Sequence, residues 1–316
     1  MPIAWRPATR VDIEPGLMMQ LRYRGDALVG EEAALGIWKR LSSDPLCTAT
    51  AVESEPAIRG HHIVGFGASV LVSRAFADAE IANPRPDINS RIIAGIHSDQ
   101  PVLAPRSEVA RANAEGGVDV VILCGVWRDG ILNPEERQQV KTLLATSFTE
   151  RHAGYRIRRI FCEAVDQLST EFIERSIVYR RIAEFPEAGR RLYLMTAESA
   201  KEVPGSLANV LFSFRKPILR LRDSDQQMLS AALQGATDSE LAAQLEATVP
   251  AIKARWRSTF GRIAAAMPDL VHDDMAGESR GAQKRHRVLA YMRSHPEELR
   301  PYDWKIGNRE VGRQPR

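Results

Sequence analysis

Residues 221–263, LRDSDQQMLSAALQGATDSELAAQLEATVPAIKARWRSTFGRI, leave the chain few ways to fold. Met228, Leu229, Ala232 and Leu233 recur at three- and four-residue spacing, which places them on one face of a helix. Asp223 or Ser224 is the predicted cap, and Gly235 falls where a left-handed C-terminal residue is needed. Thr237 and Glu240 have capping-box spacing and open a second helix through Leu241, Ala242 and Leu245. Thr248 caps a third, in which Pro250 occupies the first turn. Its apolar face is Ile252, Trp256, Phe260 and Ile263. No acid occurs from Ala247 to Pro268, whereas Lys253, Arg255, Arg257 and Arg262 all do. That is the charge pattern of a helix lying against phosphates.

This stretch resembles, without a gap, the C-terminal domain of LuxR-type (NarL/FixJ) regulators. Leu221, Gly235, Glu240-Leu241-Ala242, Leu245, Thr248 and Ile252-Lys253 stand at that family's positions. The resemblance implies double-stranded DNA as partner. It assigns base edges to Lys253, Ala254 and Arg257, and phosphates to Thr248, Val249 and Arg255, with Ser258 on the same outer surface. Glu246 and Ala247 depart from the family's glycine and β-branched pair, and a left-handed Glu246 costs on the order of 1 kcal/mol. Met267-Pro268-Asp269 interrupts the family's fourth, dimerising helix. Gln283–His295 reads as a basic amphipathic helix stopped by Pro296, docking on the three helices or on a second subunit. The last dozen residues are expected to be disordered.

The whole chain suits two domains, 316 residues being ample for a core. Residues 215–316 hold 18 Lys and Arg against 13 Asp and Glu, while residues 1–214 hold 25 against 27. Cys47, Cys124 and Cys162 lack metal or redox spacing and read as thiols in a reducing cytoplasm. No apolar run reaches membrane-spanning length, so a cytoplasmic protein is expected.

Residues 1–214 alternate strands and helices. Ile3–Arg6 reads as a strand, Val11–Glu14 as a helix start, and Thr48–Glu53 with His62–Ser73 as a hairpin. VDVVILCGVW, from Val118 to Trp127, is the best buried strand. A helix follows from Asn133-Pro134 to His152 and Gly154, with Glu135 and Glu136 favouring its start. A strand at Tyr155–Ala164, a helix Glu171–Phe185 and strands near Arg191–Thr196 and Asn209–Phe214 complete the expectation.

This order, with the opening WRPATRVDIEP, resembles the GNAT acyltransferase fold. The family cradles the coenzyme A pyrophosphate on a Q/R-x-x-G-x-G/A loop at a helix start. Arg128–Pro134 here has one glycine, Gly130, with acids at Asp129, Glu135 and Glu136. Gly65 and Gly67 suggest a bulge or close packing, and His61-His62 a solvated turn. Asn83-Pro84-Arg85-Pro86 with Asn89 and Arg91 is either a rigid connection or a grip for an anion or a subunit.

The expected fold is therefore a GNAT-like α/β domain over 1–214, an all-α LuxR-type helix-turn-helix domain over 215–267, and a basic helix and tail over 268–316. The expected function is a transcriptional regulator acting as a homodimer, its N-terminal domain either sensing an unidentified small molecule or mediating dimerisation, with no catalytic residue, cofactor, metal or membrane. The alternative is a GNAT-fold acyltransferase using acyl-CoA, its helical C-terminus binding a partner.

Overall fold

A computed structural model describes residues 2–23, 29–42, 44, 46–271 and 280–311. The chain opens with β1 (Ile3–Pro7), α1 (Arg10–Tyr23) and α2 (Glu31–Leu41). The hairpin β2 (Cys47–Ile58) and β3 (His61–Val72) follows, then α3 (Arg74–Ala82), α4 (Ile88–His97) and α5 (Arg106–Ala114). Next come β4 (Val118–Trp127), α6 (Pro134–His152), β5 (Ile157–Ala164) and α7 (Gln167–Arg175). β6 (Arg180–Phe185), β7 (Arg190–Thr196), α8 (Ala197–Lys201) and α9 (Leu207–Leu211) end the mixed part. The remainder is helical: α10 (Asp223–Leu233), α11 (Asp238–Gln244), α12 (Val249–Ala266), α13 (Pro268–Val271), α14 (Arg280–Ser294) and α15 (Trp304–Val311), with a 3-10 turn at Pro296–Leu299.

The seven strands form one sheet in the order β1-β2-β3-β4-β5-β7-β6. Every pairing is antiparallel except β4 with β5. This is the GNAT-like mixed order expected from the sequence. β4 is almost wholly apolar because both its faces are covered. Val121 and Leu123 join a core with Ile13 of α1, Trp38 of α2 and Ile92 of α4. Val118 and Val120 join a second core with Ile160, Met195, Ala208 and Leu211 on the other face. The opening phrase is held by Arg6, whose guanidinium bridges Asp12 at 2.6 Å and Glu53 at 2.7 Å.

Two irregularities interrupt β4. Its parallel pairing with β5 runs from Val118↔Ile157 to Ile122↔Cys162 and stops there. Against β3, Ala68 faces Cys124 while Ser69 faces Ile122, so Leu123 is the extra residue of a bulge. From Leu123 to Trp127 the strand stands beside β3 only, and the sheet opens toward β5.

Three local expectations change. The helix expected over Glu171–Phe185 ends at Arg175, because Ile177 takes a left-handed φ of 62° and sends Arg180–Phe185 to the sheet edge. Residues 209–214, expected as a strand, carry α9 instead. The polar segment around Arg91 is committed internally, since Arg91 bonds Glu80, itself 1% exposed, and the Pro86 and Arg85 carbonyls.

In the helical part the caps of α11 and α12 fall where the sequence puts them. Gly235 is left-handed at φ 89°, Thr237 and Glu240 form a capping box, and Thr248 accepts from the Ala251 N–H. Arg222, rather than Asp223 or Ser224, precedes the first of these helices. Glu246 is left-handed at φ 48°, as its place in the turn requires. α14 docks on these helices through Val288 and Met292, and the Arg285 guanidinium lies 4.4 Å from the Trp256 ring centre. Residues 304–311 are helical where disorder was expected, and 312–316 lie outside the described residues. Trp256 is 3% exposed, so Trp256→Ala should destabilise these helices by about 3–5 kcal/mol. A urea transition followed on the full chain checks this; an unchanged midpoint would contradict the packing.

The helices share a core of their own and dock on the α/β part through specific contacts. Arg300 donates to the Ala153 and Arg151 carbonyls, and Asn113 donates to the Pro301 carbonyl. Arg106 bonds Asp223 and Gln226, both at 2.7 Å. Gly154, left-handed at φ 85°, has the backbone of Pro296 and Glu297 against it, and a Cβ there would sit 2.4 Å from the Glu297 nitrogen. The end of α6 and the C-terminal turn are thus fitted to one another.

Candidate active site

The opening between β4 and β5 leads into a cavity of about 500 Å³. Its walls come from β2, β3, β4, β5, β7, α6, α7 and α9, with Tyr179 and Val178 closing one side. Leu144, Phe148, Met195 and Leu211 make the interior mostly apolar. Two glycines allow α6 to lie so near the sheet. A Cβ on Gly65 would come within 2.6 Å of Val140, and one on Gly67 within 3.2 Å of Leu144. Close packing is what these glycines do.

At the mouth, the Trp127 and Phe172 rings stand 6.5 Å apart. The Lys141 ammonium lies 4.7 Å from the first ring centre and 5.6 Å from the second. It is the one cation among the described lining residues, against the carboxylates of Asp129, Glu163 and Asp166. Glu163 is 5% exposed and accepts from the Asp87 N–H at 2.7 Å, and Arg190 holds the Asp87 carboxylate at 3.0 Å. The Asn83–Asp87 segment therefore braces the end of β5.

Tyr179 and Cys162 lie on the same cavity wall. Burial pushes the Tyr179 phenol well above its ordinary value, and the Cys162 thiol adds to the rise. The phenol is protonated at every working pH and is a proton donor by default.

Ser69 and Thr48 line the cavity floor, with His152 behind them. His152 Nδ1 lies 2.8 Å from the Phe148 carbonyl, which only accepts, so Nδ1 carries the proton. Nε2, at 3.1 Å, then accepts from the Ser69 hydroxyl. Burial pushes the His152 pKa down to about 3, so the ring is neutral in the native protein. A folded pKa below the unfolded one means that the unfolded chain binds the extra proton. Stability is therefore intact above pH ~6.5 and falls as pH drops from there toward 3, by about 1.4 kcal/mol per pH unit. Urea midpoints between pH 7 and 4 should fall less steeply in His152→Gln than in the parent chain; equal slopes would contradict this.

The loop at the start of α6 is where a diphosphate cradle would stand. The Asp129 N–H bonds the Trp127 carbonyl and the Ile131 N–H the Arg128 carbonyl. The Asn133 N–H is taken by Glu136 Oε2, and the Glu136 N–H by Asn133 Oδ1. Pro134 has no N–H, and Asp129, at the cavity rim, is paired with Arg137 at 2.5 Å. Four of the loop's N–H groups are spent on the loop itself, and the Glu136 carboxylate occupies the helix start that a diphosphate would take. Coenzyme A's diphosphate does not fit this loop. Among the described residues no group of three His, Cys, Asp or Glu could hold a metal ion, and no helix is long and apolar enough to cross a membrane.

The residues assigned to DNA lie elsewhere. Thr248, Lys253, Ala254, Arg257 and Ser258 are exposed on α12, while Val249 and Arg255 are half-buried. None lines the cavity. Their neighbour Arg262 is neutralised by Asp225 at 2.7 Å.

No protein-family model matches this chain, and no curated protein does. Solved structures do resemble it. FeeM, an N-acyl amino acid synthase from uncultured soil microbes, aligns at 11% identity and a TM-score of 0.37, covering 62% of this chain and 92% of its own. Arabidopsis thaliana NAA60 in complex with acetyl-CoA aligns at 12% identity and a TM-score of 0.40, covering 62% and 99%. Mosquito arylalkylamine N-acetyltransferase like 5b aligns at 11% identity and a TM-score of 0.36, covering 62% and 100%.

The expectation of a non-enzymatic, LuxR-type transcriptional regulator with double-stranded DNA as partner is corrected here. The physical reason lies in α12. Its caps and apolar face define a helix, but its cations form a solvated face with no accompanying site, whereas the cavity sits in the sheet. The sequence reading missed Tyr179, Lys141, Phe172 and the Ser69–His152 pair. The one signal for them was the gap between a strong strand at 118–127 and a capped helix at 134–152.

Proposed function

We propose that the chain is an acyltransferase, moving an acyl group from a thioester to an amine. The observation that carries this reading is the apolar cavity in the opening between β4 and β5, with the Tyr179 phenol on its wall. The acyl chain lies among Leu144, Phe148, Met195 and Leu211, with its carbonyl toward the bulge at Leu123. The amine attacks that carbonyl, the C–N bond forms and the C–S bond breaks. Tyr179 gives its proton to the departing sulfur, and the proton lost by the amine returns through water. Residues 1–214 are the catalytic part, and 215–316 form an all-helical support for the end of α6. The free thiols Cys47, Cys124 and Cys162 suit a reducing, cytoplasmic setting.

Incubating the full chain with an S-octanoyl thioester and a panel of amines tests this. Thiol release with matching amide formation by mass spectrometry is expected. No release above the buffer rate with any amine would refute it.

A further inference from the structure

We infer that the acyl donor is a pantetheine-type thioester recognised by its acyl chain and arm, without a nucleotide. This rests on the acyltransferase reading above and narrows its donor. Two independent observations carry it.

The first is the loop at the start of α6. A helix start attracts phosphate when its N–H groups are open and its surroundings are cationic. Here the N–H groups of Asp129, Ile131, Asn133 and Glu136 already have partners within the chain. Glu135 and Glu136 supply the negative charge that the helix dipole favours. The second is the charge of the cavity wall. Arg137 neutralises Asp129, which leaves Glu163 and Asp166 against Lys141 among the described lining residues. The 3′-phosphorylated ADP of coenzyme A carries several negative charges, and this rim offers it repulsion. An uncharged β-alanyl-cysteamine arm meets none. It would cross between the Trp127 and Phe172 rings, where apolar and amide groups are the fitting contacts.

The test is binding of unreactive thioethers to the full chain, read by calorimetry. S-octylpantetheine should bind at least as tightly as S-octyl-coenzyme A. Glu135→Lys, an exposed change outside the cavity, should tighten the coenzyme A thioether by about 3–10-fold and leave the pantetheine thioether unchanged. Binding of the coenzyme A thioether ten-fold or more tighter than the pantetheine one in the parent chain would overturn the inference while leaving acyl transfer intact. Binding of neither would instead remove the acyltransferase reading on which it rests. An S-octyl arm carried on an acyl carrier protein distinguishes the sources. Tighter binding than the free arm assigns a protein-borne donor, and equal binding a small one.

Discussion

Ala145→Trp should lower kcat/KM for a medium-chain acyl thioester by two to three orders of magnitude. Ala145 faces the cavity from α6, half-buried, between Leu144 and Phe148, which also line it. An indole there occupies the space of roughly four or five methylenes of the acyl chain. At ~0.8 kcal/mol for each buried methylene, the loss is about 3–4 kcal/mol, and each 1.4 kcal/mol is ten-fold in rate. The change fills an existing void, so thermal stability should hold or rise slightly. The effect should shrink as the donor shortens, because an acetyl group leaves most of that volume unused. Measuring octanoyl and acetyl donors side by side separates the two cases. Equal losses for both would mean that the chain does not lie in this cavity.

Tyr179→Phe should lower kcat by about 10²–10³-fold with KM nearly unchanged, the range for losing a positioned general acid. The substitution removes one oxygen and keeps the ring that packs beside Cys162. The sign of its pH dependence follows from the raised phenol pKa. Tyr179 is protonated below that value and remains a donor up to and beyond pH 10, so no alkaline limb from this group should appear in the working range. The variant should also regain rate with donors whose leaving thiol is more acidic, since these need less help from a proton. An unaltered kcat would remove Tyr179 from the chemistry and leave it as cavity wall.

Much of the fold was legible in the sequence. β4 was visible because a strand covered on both faces is almost wholly apolar, with Asp119 as its one charged residue, and α6 because Asn133, Pro134 and Glu136 spell a helix start. Where the reading failed, the local pattern was ambiguous. Glu171–Phe185 has helical content throughout, and only the left-handed Ile177 breaks it. Leu207–Leu211 is too short for periodicity to separate helix from strand. The site was barely legible. Ser69 lies on β3, Lys141 and His152 on α6, Phe172 on α7 and Tyr179 just after it, and no spacing ties these stretches together. The regulator reading failed differently: its caps at Thr237 and Thr248 were right, but capping fixes where helices begin and not what their exposed faces meet.

The most direct test of the account is a crystal structure of the full chain with S-octylpantetheine. The alkyl chain should lie among Leu144, Phe148 and Leu211, with its sulfur beside Tyr179 and the arm passing between Trp127 and Phe172. A ligand seated anywhere else, with this cavity unfilled, would contradict it.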